Sequence, residues 1–117
     1  MKTIKHSLLT LFVTLSISTG SYGSTFTGEK LLDLCTSELS EEAFTCLGYF
    51  WGMNQTQGMY VYVEEAPQLY CAEEATTFQL KSVVVDYLED HPEELDKYAL
   101  WLIFHILGEA FPCDDGQ

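Results

Sequence analysis

Apolar positions recur with helical spacing in four stretches of the chain. The first, Gly28 to Thr36, places Leu31, Leu32 and Cys35 on one face, with Thr27 as its N-cap. Ser37 to Ser40 is a polar connection. A second helix runs from Glu41 to about Tyr60, capped by Ser40, with Glu41 and Glu42 at its positive end. Phe44, Leu47 and Trp51 line one side of it, and Cys46, Phe50 and Met53 another. So wide an apolar arc reads as a central helix packed on several sides. Gly48 and Gly52 share a face. Each costs about 1 kcal/mol against alanine, which predicts a neighbouring backbone packed closely on them. Met59 to Val63 has the aromatic and β-branched content of a short strand, and we treat it as the frayed end of the helix. Glu64 to Glu74 contains Pro67, shows no period and is a loop.

Thr76 and Gln79 form a capping box that starts a third helix, along which Leu80, Val84, Tyr87 and Leu88 follow with helical spacing. Asp90-His91-Pro92 ends it, because the residue before proline resists helix and proline suits a first helical position. A fourth helix is predicted from Glu93 to Ala110. Leu95, Ala99, Leu102, Ile103 and Ile106 form one stripe; Leu100, Phe104, Leu107 and Phe111 form a second. A helix apolar on two faces is either fully buried or shared between subunits. Pro112 stops it. The expected fold is all-α, a small disulfide-stapled bundle of about four helices.

Lys2 and Lys5, the apolar run Leu8 to Ile17 and the small polar residues from Ser18 to Gly23 read as a secretory signal peptide. Cleavage is placed after Gly23, with Gly20 as the competing site. Residues 24–117 then form one domain of 94 residues, exported to the periplasm and without a membrane span. Lys30, Lys81 and Lys97 are its only lysines, there is no arginine, and all 18 carboxylates remain, a net charge of −15. Such a chain lacks the basic patches that nucleic acid and anionic membranes require. It suits a basic protein partner. Cys35, Cys46, Cys71 and Cys113 are even in number in an oxidising compartment, so two disulfides are expected. Helix order favours Cys35–Cys46 and Cys71–Cys113, because a tight helix pair joins the first two and an antiparallel hairpin returns Cys113 to Cys71. The two other connectivities stay open.

Catalytic constellations are thin. Cys71 or Cys113 with His105 would make a nucleophile and base, but cysteines expected in disulfides offer no thiolate. His91 and His105 lack the close spacing of a zinc site, and His105 reads as a core or interface histidine. No cofactor motif, glycine-rich phosphate loop or metal site is expected. Asn54-Gln55-Thr56 matches a glycosylation acceptor in mid-helix.

Taken together, Cys46-Leu47-Gly48-Tyr49 with Gly52, then Cys71, then Tyr87-Leu88 with His91-Pro92-Glu93, then Ala110-Phe111-Pro112-Cys113, resemble the Rap1a/Tai immunity-protein family. The resemblance covers Gly28 to Cys113. Ala72-Glu73 departs from it, since many relatives carry a proline near there, and so does the acidic excess. The resemblance implies a periplasmic helical domain, often dimeric, that binds a peptidoglycan amidase toxin delivered by type VI secretion and obstructs its Cys-His cleft, usually with an inserted loop. It carries no binding residues of its own. From the residues themselves we place partner binding on the acidic turn, Asp86, Glu89, Asp90, Glu93 and Glu94, with the Glu64–Glu74 loop as fallback. A homodimer contact is placed on Tyr98, Trp101 and Phe104 of the fourth helix. The competing function is a periplasmic acid-stress chaperone similar to the HdeA family. With every carboxylate protonated, however, this chain keeps too few positive charges to hold clients apart.

Overall fold

Four helices and their connections account for the residues described here, 25–114 of a computed structural model. The predicted leader lies outside them. Helix α1 spans Gly28–Thr36, α2 Ser40–Tyr62, α3 Thr77–Asp90 and α4 Ala99–Ala110, with a 3₁₀ turn at Pro92–Glu94. Among the described residues none is in a strand, apart from an isolated bridge between Thr27 and Tyr98. Leu31 and Cys35 of α1, Cys46, Phe50 and Met53 of α2, Leu80, Val84 and Leu88 of α3, and five residues of α4 meet in one core, joined from the α2–α3 loop by Tyr70. The Tyr70 hydroxyl donates to Asn54 Oδ1 at 2.6 Å, so the asparagine of the glycosylation pattern serves the fold. Burial pushes the Tyr70 phenol pKa above its ordinary value.

Both disulfides pair as helix order favours. Cys35 joins Cys46, with Cα atoms 5.1 Å apart, and Cys71 joins Cys113, with Cα atoms 4.9 Å apart. The first closes the α1–α2 corner inside the core. The second clamps the loop before α3 to the end of α4, where the Cys71 N–H also donates to the Phe111 carbonyl at 2.8 Å. The capping box of α3 forms in both directions: Thr76 Oγ1 accepts from the Gln79 N–H at 3.2 Å, and Gln79 Oε1 accepts from the Thr76 N–H at 2.8 Å.

Several expectations are corrected. Ser40 is the first residue of α2 rather than its cap; Leu39 occupies the cap position, and its own N–H donates to Ser37 Oγ at 3.1 Å. The far end of α2 is not frayed. Glu65 N–H donates to the Tyr60 carbonyl and Glu64 N–H to that of Val61, the two bonds of a Schellman closure. Glu64 takes the left-handed conformation there, at φ 58°, a position usually given to glycine, so the local sequence did not announce it. Phe44 and Trp51 are exposed, not core, because the buried face of α2 runs through Cys46, Phe50 and Met53. Gly48 and Gly52 have no neighbour within 4 Å of where a Cβ would sit, so no backbone packs against them. The second stripe of α4 is largely covered internally: Leu107 is buried, and Leu100, Phe104 and Phe111 pack against the core. His105 is exposed.

Helix α4 begins at Ala99, not Glu93, for a tertiary reason. The backbone between the turn and α4 is used by the start of α1. Gly28 N–H donates to the Lys97 carbonyl at 2.9 Å, Glu29 N–H to the Leu95 carbonyl at 2.9 Å, and Ala99 N–H returns a bond to the Phe26 carbonyl at 2.8 Å. These bonds satisfy N–H groups that a helix start leaves open. Gly28 is required at this crossing: a Cβ there would stand 2.6 Å from Leu102 Cδ1 and 3.3 Å from the Leu95 backbone. Leu102 is itself fully buried and has little room to swing away. Gly28→Ala is therefore expected to cost about 1–3 kcal/mol through overpacking, read as a lower urea midpoint with an unchanged slope.

Candidate interaction surface at the acidic turn and α4

The turn between α3 and α4 is stitched by its own backbone. His91 N–H donates to the Leu88 carbonyl, Glu94 N–H to His91, Leu95 N–H to Pro92 and Lys97 N–H to Glu94. His91 closes the end of α3. Its ring stacks on Tyr87, with centroids 3.8 Å apart, and its Nδ1 lies 2.7 Å from the Tyr87 carbonyl. A carbonyl only accepts, so Nδ1 carries the proton in this contact. This donor is useful because the last turn of α3 holds Glu89 and Asp90 and no base, an arrangement the helix dipole disfavours.

Asp86, Glu89, Asp90 and Glu93 all stand exposed on this projection. Glu94 is half-buried and paired with Lys97 at 2.7 Å. That hydrogen bond pushes the Lys97 pKa above its ordinary value. Burial pushes the Tyr87 phenol pKa up, and the nearby Glu94 and Glu109 carboxylates add to it. The five predicted carboxylates thus share one end of the bundle, four of them without an ion-pair partner in the described residues.

A second array runs from Glu94 along the open face of α4, and sequence reasoning missed it as a unit. Lys97 Nζ lies 5.3 Å from the Trp101 ring centroid. Trp101 stacks on His105, with centroids 4.9 Å apart and planes inclined by 11°. His105 Nε2 lies 3.7 Å from Glu109 Oε1. The spacing 101, 105, 109 was the available signal, since residues four apart share a helix face, while Lys97 reaches Trp101 from just before the helix. Of the three residues placed at a homodimer contact, Tyr98 and Trp101 are half-exposed. Phe104 turns instead toward Tyr70, 6.1 Å between centroids, and lines a cleft of about 290 Å³ with Met53, Tyr60, Pro67, Leu69 and Leu100.

Cys71 and Cys113 are bonded to each other, which removes the thiol nucleophile that a pairing with His105 would need. The arrangement offers charged and aromatic surface for recognition. A family model of the Rap1a immunity proteins matches residues 27–113. The chain belongs to the Rap1a immunity-protein family. No curated protein and no solved structure matches the chain significantly. The matched span begins at Thr27, the N-cap of α1, and ends at Cys113, the last cysteine of the second disulfide. The Rap1a domain is therefore the whole disulfide-closed bundle. Its Gly48 and Gly52 fall on α2 and its His91-Pro92-Glu93 on the acidic turn. As an immunity protein, the chain has a toxin for a partner. Among the described residues no helix is long and apolar enough to cross a membrane.

Proposed function

We propose that this Rap1a protein is exported to the periplasm, where it binds a peptidoglycan amidase toxin delivered by type VI secretion and blocks its Cys-His cleft without catalysing any reaction itself. The family match over residues 27–113 carries the reading. The two disulfides support an oxidising compartment. The docking element we assign is the acidic turn, Asp86, Glu89, Asp90, Glu93 and Glu94. It is short, braced by hydrogen bonds and held between two helices, so docking orders little. Its carboxylates draw in a basic cleft rim at long range.

Calorimetric titration against a Cys-His amidase encoded beside this gene tests both statements. A one-to-one complex that abolishes cell-wall hydrolysis is the expected result; no binding would remove the amidase reading. In Asp90→Lys/Glu93→Lys, affinity should fall by about 1–2 kcal/mol, mostly through a slower association rate, because both carboxylates are exposed and act by steering. Unchanged affinity in a folded double variant would move the site to the Glu64–Glu74 loop.

A further inference from the structure

We propose that the cleft between α2, the α2–α3 loop and α4 is a second docking site for the toxin, an inference that rests on the function proposed above. It takes one large apolar side chain of that partner, carried beside a lysine or arginine. The cleft measures about 290 Å³ and is walled by Met53, Tyr60, Pro67, Leu69, Leu100 and Phe104. Free ligands occupy pockets of about 300–1,000 Å³, so this one suits a single inserted side chain. No residue that lines it is charged.

The walls are built before any partner arrives. Tyr60 and Leu69 keep about half of their surface in water, 53% and 48%, and the backbone around them is tied. The Leu69 N–H donates to Gln57 Oε1 at 3.1 Å. Its carbonyl lies against Gly108 of α4, 3.1 Å from where a Cβ would stand. The two residues that follow are held by Asn54 and by the bridge to Cys113. On the other side, the Glu65 N–H donates to the Tyr60 carbonyl at 3.0 Å and fixes the chain entering Ala66 and Pro67. A cleft so braced loses little entropy when it is filled. Preformed apolar pockets of this kind are where one buried side chain supplies much of a contact's affinity.

The chemistry of walls and mouth selects the occupant. Thr56 Oγ1 donates to the Gly52 carbonyl at 2.8 Å, and Gln57 Oε1 accepts from Leu69. With those oxygens engaged, the lining offers apolar contact more than hydrogen bonds. Glu64 and Glu65 directly precede Ala66, stand exposed and form no ion pair among the described residues. They oppose a carboxylate beside the inserted side chain and favour an ammonium or guanidinium. The acidic turn draws in the same basic partner at long range, whereas the cleft holds it.

Methyl NMR on the purified protein with both disulfides formed tests the cleft by itself. With the peptide acetyl-Lys-Phe-Lys-amide at millimolar concentration, the methyl resonances of Met53, Leu69 and Leu100 should shift. With acetyl-Glu-Phe-Glu-amide they should shift at least about threefold less. Titration with the amidase tests the partner. Leu69→Glu should bind it at least about tenfold more weakly, mainly through faster dissociation. Ala66→Trp, on the exposed rim, should do the same by filling the cleft from its own chain, and Leu69→Met should bind as the wild type does. Both weakening variants should melt like the wild type, because neither position is buried. Unshifted cleft methyls, equal shifts with both peptides, or methyl positions that move on dilution without peptide, the mark of a second copy in the cleft, would overturn the proposal. So would an amidase affinity that both variants leave unchanged. A wild type that binds no amidase removes the function proposed above and the toxin as occupant, while the peptides still decide the chemistry of the cleft.

Discussion

Cys71→Ser/Cys113→Ser is expected to lower the stability of the oxidised protein by about 4 kcal/mol, from loop-closure entropy alone. The bridge spans 42 positions of sequence, whereas Cys35–Cys46 spans 11 and should contribute about 3 kcal/mol on the same basis. Domains of this size hold a net stability of only about 5–15 kcal/mol, so the loss is a large share. It also releases the loop carrying buried Tyr70 from the end of α4. Urea titration of both double variants under non-reducing conditions measures the difference. A loss below about 1 kcal/mol for the longer bridge would mean that core packing alone holds the α3–α4 hairpin shut.

Phe50→Ala should cost about 3–5 kcal/mol, the range for emptying a phenylalanine site in a packed core. Phe50 is 0% exposed, one turn from Cys46 on the same face of α2. Trp51 is the adjacent residue and the larger side chain, yet Trp51→Ala should move monomer stability by no more than about 0.5 kcal/mol, since its ring stands in solvent. The pair fixes the rotation of α2 about its own axis. Equal losses would mean that the helix is turned so that both rings are covered. The measurement belongs at low protein concentration, where self-association adds nothing to the stability of either variant.

This same pair shows what was legible and what was not. The capping box of α3, the cysteine pairing and the apolar stripe on α3 were readable, because each depends on residues close in sequence or on helix order. The rotation of α2 was not, because a helix rich in aromatics on every side gives no internal sign of which face meets the core. Trp51 was grouped with core residues for that reason, and Gly48 was given a packed neighbour it does not have. The start of α4 was hidden differently. Nothing near Leu95 or Lys97 reveals that their carbonyls serve the N–H groups of Glu29 and Gly28. At the surface, the acidic turn was visible as adjacent letters, with Pro92 marking the bend. The Lys97–Trp101–His105–Glu109 array went unseen because Trp101 had been placed at a dimer contact with Phe104, which the fold turns toward Tyr70.

The bonds between the start of α1 and the segment before α4 have a consequence for how the chain becomes a protein. A polypeptide delivered N-terminus first presents Gly28 and Glu29 some 70 residues before the carbonyls that receive them. Cys35 and Cys46 can meet early, but the five buried residues of α4 and the sulfur of Cys113 arrive last. A product cut short between Cys71 and Leu95 has an open α1, a core missing one wall and a cysteine with no mate. Its unsatisfied backbone and open core leave it easier for proteases to cut than the finished chain.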